Sequence, residues 1–323
     1  MRYSNDILRR AKVRLAEEKA AHEARQEARQ QQLYNTLPQV KEIDQQLRTS
    51  MILAVQAAFA KGNQDALTQV REKNQALQAQ RRNLIEEHFP PEYANEGPLC
   101  PHCDGTGYIG TAMCICLEAL CREEQKKELA TLSAGVHTFD EFKLSYYPEN
   151  PDPKYGVSAR AIMTRTFDVC RKYAENFSMD SGNLLFNGGT GLGKTLLSAC
   201  IARTAAEKGY SVAYESAPHL FGKLEKNHFR PTEESARQAE ELSAADLLII
   251  DDLGTEMSGV FVTSALYALV NDRLLEGKPT IISTNLTISE IRERYSPQIA
   301  SRLQGHYQLL PFVGTDIRIM KNK

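Results

Sequence analysis

Three groups of residues in this chain have the types and spacing to do chemistry. The first is Gly188-Gly189-Thr190-Gly191-Leu192-Gly193-Lys194-Thr195, which fits G-x-x-x-x-G-K-[ST]. A short apolar run precedes it and a helical run follows it. Glycines let the backbone curl until several N–H groups point at one spot, and that spot lies at a helix N-terminus whose peptide dipoles favour an anion. Lys194 is placed to reach the β- and γ-phosphates of a nucleotide, and Thr195 offers a hydroxyl to Mg²⁺.

The second group lies at the ends of later apolar runs. Leu247-Leu248-Ile249-Ile250 reads as a buried strand closing on Asp251-Asp252. Parallel sheets collect ligands at the carboxyl ends of their strands, so these acids belong beside the phosphate loop. Asp251 is assigned to Mg²⁺, directly or through water, and Asp252 to orienting and polarising the attacking water. Glu is commoner in the second role; Asp is a carbon shorter, which implies a shifted water or slow turnover. Ile281-Ile282-Ser283-Thr284 closes on Asn285, an amide either aimed at the γ-phosphate and lytic water or simply beginning a turn. In Ile299-Ala300-Ser301-Arg302-Leu303, Arg302 sits just before the last strand. It is the first candidate for an arginine finger that serves a neighbouring subunit, although a surface ion pair has the same sequence appearance. Arg273 is a second candidate and Arg318 a third.

The third group is metal-like. Five of the seven cysteines fall between Cys100 and Cys121, which points to metal rather than a disulfide framework. Cys100 and Cys103 form C-x-x-C, and Cys114 and Cys116 form C-x-C, two tight turns that supply the four soft ligands of a tetrahedral Zn²⁺. Cys121 is an alternative to Cys114 or Cys116. His102 lies inside the first knuckle, and a redox C-x-x-C would leave the second pair unexplained. The segment is short and polar, and metal binding worth on the order of 10 kcal/mol would hold it together.

These groups need elements to position them. Residues 1–95 read as three polar helices with narrow apolar stripes. Ser4 or Asn5 caps the first, along which Ile7, Leu8, Ala11 and Leu15 align. Thr36 and Pro38 restart the second, which carries Val40, Ile43, Leu47, Met51 and Val55. Gly62 and Asn63 divide it from the third, which Phe89-Pro90-Pro91 stops. Such faces form a small bundle, a solvated coiled segment or a docking module. Residues 96–122 are the zinc-binding segment. Residues 123–178 are linker and pre-ATPase helices with an aromatic loop from Phe139 to Tyr147, which either walls an adenine pocket or packs between domains. Residues 179–323 are the core, with strands at 183–188, 211–216, 246–252, 280–286 and 307–313 alternating with helices, the pattern of a parallel sheet. Cys170 and Cys200 read as core. Net charge is −2, so contact with nucleic acid requires a local basic patch. No apolar run reaches the length of a membrane span, and the expected setting is soluble, reducing and cytoplasmic.

The order FNGGTGLGKT, LLIIDDLG, NDR…GKPTIISTNL, IASRL and GTDIR resembles the AAA+ ATPases of the DnaC/DnaI helicase-loader group and the closely similar IstB transposition helpers, from about Phe139 to Arg318. The resemblance implies an α/β fold: a five-stranded parallel sheet flanked by helices on both faces, with no C-terminal helical lid and hence no lid-borne sensor arginine. It implies the roles given above to Lys194, Thr195, Asp251, Asp252, Asn285 and Arg302, with ATP and Mg²⁺ bound between subunits of a homo-oligomer. A zinc segment ahead of the ATPase resembles DnaI-type loaders, which implies docking of residues 1–122 on a replicative helicase. The resemblance also implies single-stranded DNA binding at the inserted helix carrying Lys223, Lys226 and Arg230, a run that a merely solvated helix would also fit. Two other functions stay open: an IstB-like helper of a transposase, and an ATP-gated adaptor with little turnover.

Overall fold

The computed structural model describes residues 3–59, 64–90, 93, 97–131, 137–151 and 156–321. The chain forms two compact units, Lys12–Leu117 and a second that joins Met1–Ala11 to Glu118–Lys323.

Helix α1 (Asn5–Thr36) begins in the second unit and continues into the first, where α2 (Pro38–Phe59) and α3 (Gln64–His88) follow. The start of α1 is capped as its sequence suggests, with the Ile7 N–H donating to Ser4 Oγ at 3.2 Å. Pro38 opens α2, where its missing N–H costs nothing. The shared core is small: Leu33, Val40 and Ile85 are buried, with Leu37, Leu84, Phe89 and Tyr93 packed against them. Polar links add to it, since Asp44 accepts from Arg81 Nε at 2.7 Å and from the Tyr34 hydroxyl at 3.0 Å. Gly62 and Asn63, and the side chains of Met51 and Val55, lie outside the described residues. Strands β1 (Tyr108–Ile109) and β2 (Ala112–Met113) form a short antiparallel hairpin within the cysteine segment. Helix α4 (Ile115–Thr131) then begins directly after Cys114, earlier than the charged stretch alone suggests.

The second unit is built on a sheet. Helix α5 (Ala159–Glu175) leads to β3 (Asn183–Gly188) and α6 (Lys194–Glu207). Then come β4 (Val212–Ser216), α7 (Ala217–Phe229), α8 (Glu233–Ala244), β5 (Leu247–Leu253), α9 (Val260–Leu275) and β6 (Thr280–Thr284). Helices α10 (Ile288–Arg294) and α11 (Pro297–His306) precede β7 (Tyr307–Phe312) and α12 (Ile317–Lys321). The five strands are parallel in the order β4-β5-β6-β3-β7. This is the AAA+ arrangement, in which β6 separates the phosphate-loop strand from the strand that carries the acids.

Alternation along the strands divides the core into two layers. Leu184, Phe186, Ile249 and Ile281 face one way and pack with Met163 and Cys170 of α5 and Leu197 and Ile201 of α6. Leu185, Leu248, Ile250 and Ile282 face the other way, against Leu220 of α7, Leu266 of α9, Ile291 of α10 and Ile299 of α11. Helices therefore cover both faces, and Cys170 and Cys200 are buried as expected. After β7 the described residues hold only α12. None of the described helices is long and apolar enough to cross a membrane.

One edge of the sheet is β4, and an edge strand leaves backbone groups without a ladder partner. A buried side chain supplies one. Gln125 of α4 donates from Nε2 to the Tyr210 carbonyl at 2.8 Å and accepts from the Val212 N–H at 3.1 Å. Those are the two groups that a further strand would engage, so the amide stands in for a neighbouring peptide. Replacing Gln125 with Leu keeps the volume and strands both groups. Urea unfolding of Gln125→Leu is expected to read a loss of about 1–3 kcal/mol.

Candidate nucleotide site and cysteine centre

The phosphate loop joins β3 to α6, and two segments from elsewhere press on it. A Cβ at Gly188, where φ is +159°, would overlap the Phe312 carbonyl, and one at Gly191, where φ is +70°, would overlap the Asp316 carboxylate. Glycine is required at both positions by close approach. The Ile317 N–H donates to the Gly191 carbonyl at 3.0 Å. From the other side, the Tyr147 hydroxyl donates to the Leu192 carbonyl at 3.0 Å, and the Tyr147 ring stacks on Phe142. The aromatic loop thus packs on the phosphate loop and contributes to the same cleft.

That cleft is a cavity of about 290 Å³ at the carboxyl end of the sheet. Thr190, Gly191, Leu192, Gly193, Lys194 and Thr195 form its floor, with Asp252 beside them, Phe142, Tyr146 and Tyr147 on one wall, and Ile317 and Arg318 on another. Lys194 is buried, and its ammonium donates to the Gly188 and Gly189 carbonyls, each at 2.7 Å. Burial lowers its pKa while Asp252 and Asp251 raise it; Arg318, a neighbouring cation, lowers it.

The acids occupy an irregular stretch. The register of β5 against β6 slips between Ile250 and Leu253, and Asp252 has φ +54°, a left-handed conformation rare for a non-glycine residue. The bulge turns two consecutive carboxylates toward one end of the sheet instead of opposite faces. Asp251 is buried, with Oδ2 accepting from the Tyr214 hydroxyl at 3.0 Å and Oδ1 accepting from the Ser283 hydroxyl. Asp252 opens to the cleft, and its carboxyl titrates above the usual range because the cleft strips water from it and Asp251 repels its charge; Lys194 and Arg318 pull the other way. The loop that follows is anchored by buried Glu256, which accepts from the Gly254 N–H at 2.9 Å and from the Tyr295 hydroxyl. A hydroxyl at Thr195 and carboxylates at Asp251 and Asp252 are the hard oxygen donors that suit Mg²⁺.

The remaining predicted residues fall in different places. Asn285 lies one residue beyond β6, exposed, and does not line the cleft, so the cost of burying an amide does not apply to it. Arg302 is half-buried on α11, stacked 4.3 Å over the Tyr267 ring, with its guanidinium donating to Asn271 Oδ1 at 3.0 Å and to the Tyr267 hydroxyl at 2.6 Å. Arg273, the second finger candidate, is corrected: it is 1% exposed and donates to the carbonyls of Ala245 and Pro279 at 2.9 and 2.8 Å and to Thr280 Oγ1 at 2.9 Å. Burial brings its pKa down to about 10, and it ties the starts of β5 and β6 together, out of reach of any neighbour. Arg318 is corrected too: it lines the cleft of its own subunit, the cation coming from α12 directly after the sheet. On α7, Lys223 is paired with Glu215, whereas Lys226 and Arg230 are exposed. Next to them His228, Phe229 and Phe261 form a ring cluster with centroids 4.7–5.5 Å apart, and Phe229 is 63% exposed. Sequence spacing offered no signal for Phe261, Tyr214 or Ser283 in these positions.

In the other unit, the sulfurs of Cys100, Cys103, Cys114 and Cys116 lie within 4.8 Å of one another. Two of the distances are 3.8 Å (Cys100 to Cys114) and 3.4 Å (Cys103 to Cys116). Four thiolates at about 2.3 Å from a tetrahedral zinc stand about 3.8 Å apart, so the set fits that ion. The Gly107 N–H donates to Cys103 Sγ at 3.3 Å, as metal-binding knuckles require. His102 is exposed, and Cys121 lies buried on α4, outside the group of four.

The sheet order, phosphate loop and paired acids define a P-loop ATP-binding domain of the AAA+ class. Residues 164–304 match the model of the IstB-like ATP binding protein family. The chain is 27% identical over 135 residues to the replicative helicase loader DnaC of Escherichia coli K12, which covers 42% of this chain and 55% of that protein. It is 31% identical over 107 residues to the ATP-binding protein of insertion sequence IS1162 from Pseudomonas fluorescens, covering 33% and 45%. The chain thus spans about half the length of these curated relatives. A crystal structure of the DnaC helicase loader superposes with a TM-score of 0.47 at 19% identity, over 56% of this chain and 99% of that one.

A charged Asp252 held beside Asp251 is a cost to the fold. A carboxyl with a raised folded pKa stabilises the native state below its unfolded pKa, and that contribution is lost as pH rises through the folded value. Asp252→Asn is therefore expected to melt higher than the parent at neutral pH. The gap should close as pH falls into the carboxylate range, as followed by thermal unfolding across pH.

Proposed function

We propose that this protein is an ATP-dependent loader that places a replicative DNA helicase on single-stranded DNA. The observation that carries the reading is the pairing, in one chain, of an AAA+ ATP site with a separate helical unit bearing a four-cysteine centre. Turnover of nucleotide alone needs no such unit; a protein that holds a partner and releases it does. The DnaC relatives support the same reading.

In this proposal the Lys194 ammonium exchanges the Gly188 and Gly189 carbonyls for the β- and γ-phosphates, and the N–H groups of residues 189–195 cradle them. Thr195 and Asp251 hold Mg²⁺, which neutralises phosphate charge when bound. Asp252, with its raised pKa, orients the attacking water and accepts its proton. Arg318 adds positive charge from within the subunit. Arg302 serves the site of the next protomer in an ATP-bound homo-oligomer, presented on the rigid platform of Tyr267 and Asn271. Residues 1–122 dock on the helicase, with zinc on Cys100, Cys103, Cys114 and Cys116. Single-stranded DNA lies along Lys226 and Arg230, with bases stacked on Phe229 and Phe261; the pairing of Lys223 with Glu215 moves that residue to a supporting place.

The IstB family match and the IS1162 relative favour a second reading, a transposase helper that coats duplex DNA. The decisive measurement is binding of the full chain, with and without ATP, to a replicative helicase and to single- and double-stranded DNA. A loader binds the helicase and prefers single strands; tight duplex binding with no helicase complex overturns the proposal in favour of the helper.

Two further outcomes are expected. Arg302→Ala should retain ATP binding and lose turnover by about 10³-fold or more; full turnover would remove the role in trans. Elemental analysis should find about one zinc per chain, lost in Cys100→Ser, with the helical signal of the first unit falling on chelation.

A further inference from the structure

Asp251 is held by hydroxyl groups from the two strands beside it. Ser283 of β6 donates to Oδ1, and Tyr214 of β4 donates to Oδ2 at 3.0 Å. The Ser283 oxygen also accepts the Asp252 N–H at 2.9 Å, so one fully buried hydroxyl orients the side chain of the first acid and the backbone of the second. Tyr214, in turn, lies 2.9 Å from Ser198 Oγ, and that hydroxyl is 3.0 Å from the carbonyl of Thr195. Tyr214 spends its single proton on Asp251, so the Ser198 proton is shared between the phenol oxygen and the Thr195 carbonyl. A chain of short contacts thus runs from Thr195, through Ser198 and Tyr214, to Asp251. Its ends are the two residues assigned to magnesium.

We propose that Tyr214, Ser283 and Ser198 are positioning residues for magnesium, fixing the carboxylate of Asp251 relative to the backbone of Thr195 at the start of α6. The inference rests on the nucleotide-site reading above. Its physical basis is directional. A carboxylate at the end of a strand swings about two side-chain torsions, and Asp251 sits at a bulge where the ladder to β6 is interrupted. One donor on each oxygen, from two different strands, stops both torsions. Two of its roughly four acceptor directions are used, which leaves the others for the ion or its water shell. Ser198 lies one turn beyond Thr195 on α6 and makes the link to the phosphate loop. Groups that orient metal-binding side chains in this way commonly set metal affinity by 10- to 100-fold.

The test uses the full-length chain and a fluorescent N-methylanthraniloyl ATP. Binding is measured first in EDTA and then across a Mg²⁺ titration, with thermal unfolding as the check of folding. Tyr214→Phe and Ser283→Ala should each bind the probe in EDTA as the parent does, and each should need about tenfold more Mg²⁺ for half-saturation. Ser198→Ala should shift the same midpoint by a few-fold, and it remains informative if a larger core change fails to fold. In an Asp251→Ala background, Tyr214→Phe should add no further shift, which a merely structural tyrosine would not predict. A folded Tyr214→Phe or Ser198→Ala with the parent's Mg²⁺ midpoint overturns the inference. If instead the parent protein fails to bind the probe with or without Mg²⁺, the nucleotide-site reading falls.

Discussion

Two carboxylates side by side at the end of a buried strand repel each other, and the ATP-binding unit is arranged around keeping them there. Asp251 is removed from water and Asp252 faces the cleft, both within reach of the Lys194 charge. In a low-dielectric setting this pair survives only with donors and cations fixed around it. The bulge in β5, the left-handed Asp252, the Glu256 anchor and the hydroxyls of β4 and β6 all serve that end. None of them is required by the sheet as such. They are the expense of a site that concentrates negative charge where a metal and a polyphosphate would neutralise it.

The same constraint explains why the phosphate loop is gripped from outside. A glycine-rich loop is entropically loose, and its N–H groups converge only if something holds the curl. Here Phe312 and Asp316 press on Gly188 and Gly191, and Tyr147 bonds the Leu192 carbonyl. The segments that grip the loop, the aromatic loop before the sheet and the stretch after β7, are also the walls of the cleft. Positioning and enclosure are thus done by the same residues, so anything that shifts either segment also alters the grip on a nucleotide.

The two units rely on different physics. The ATP-binding unit buries two apolar layers against a five-stranded sheet and stands on packing. The unit from Lys12 to Leu117 has a narrow helical core around Leu33, Val40 and Ile85, and its short β1–β2 hairpin sits beside four clustered sulfurs. Metal coordination suits a segment that has too little apolar surface to fold by burial.

Much of this was legible in the residues alone, and the reason is locality. A phosphate loop is eight consecutive residues whose backbone does the work, so Gly188 to Thr195 declared themselves; so did the strand ending in Asp251-Asp252 and the two cysteine pairs, each a contiguous pattern with one economical chemistry. Alternation between apolar strands and helices was enough for the parallel sheet. What only the tertiary structure decided is which single polar residues from separate elements meet. Three arginines with similar sequence surroundings became a buried tie between strands, a half-buried group stacked on tyrosine and a cation in the cleft, at Arg273, Arg302 and Arg318. Ser283 and Tyr214 looked like ordinary strand residues until β6 and β4 were laid on either side of β5. A hydroxyl's role depends on a partner a few ångströms away in space and dozens of residues away along the chain, and no local pattern records that distance.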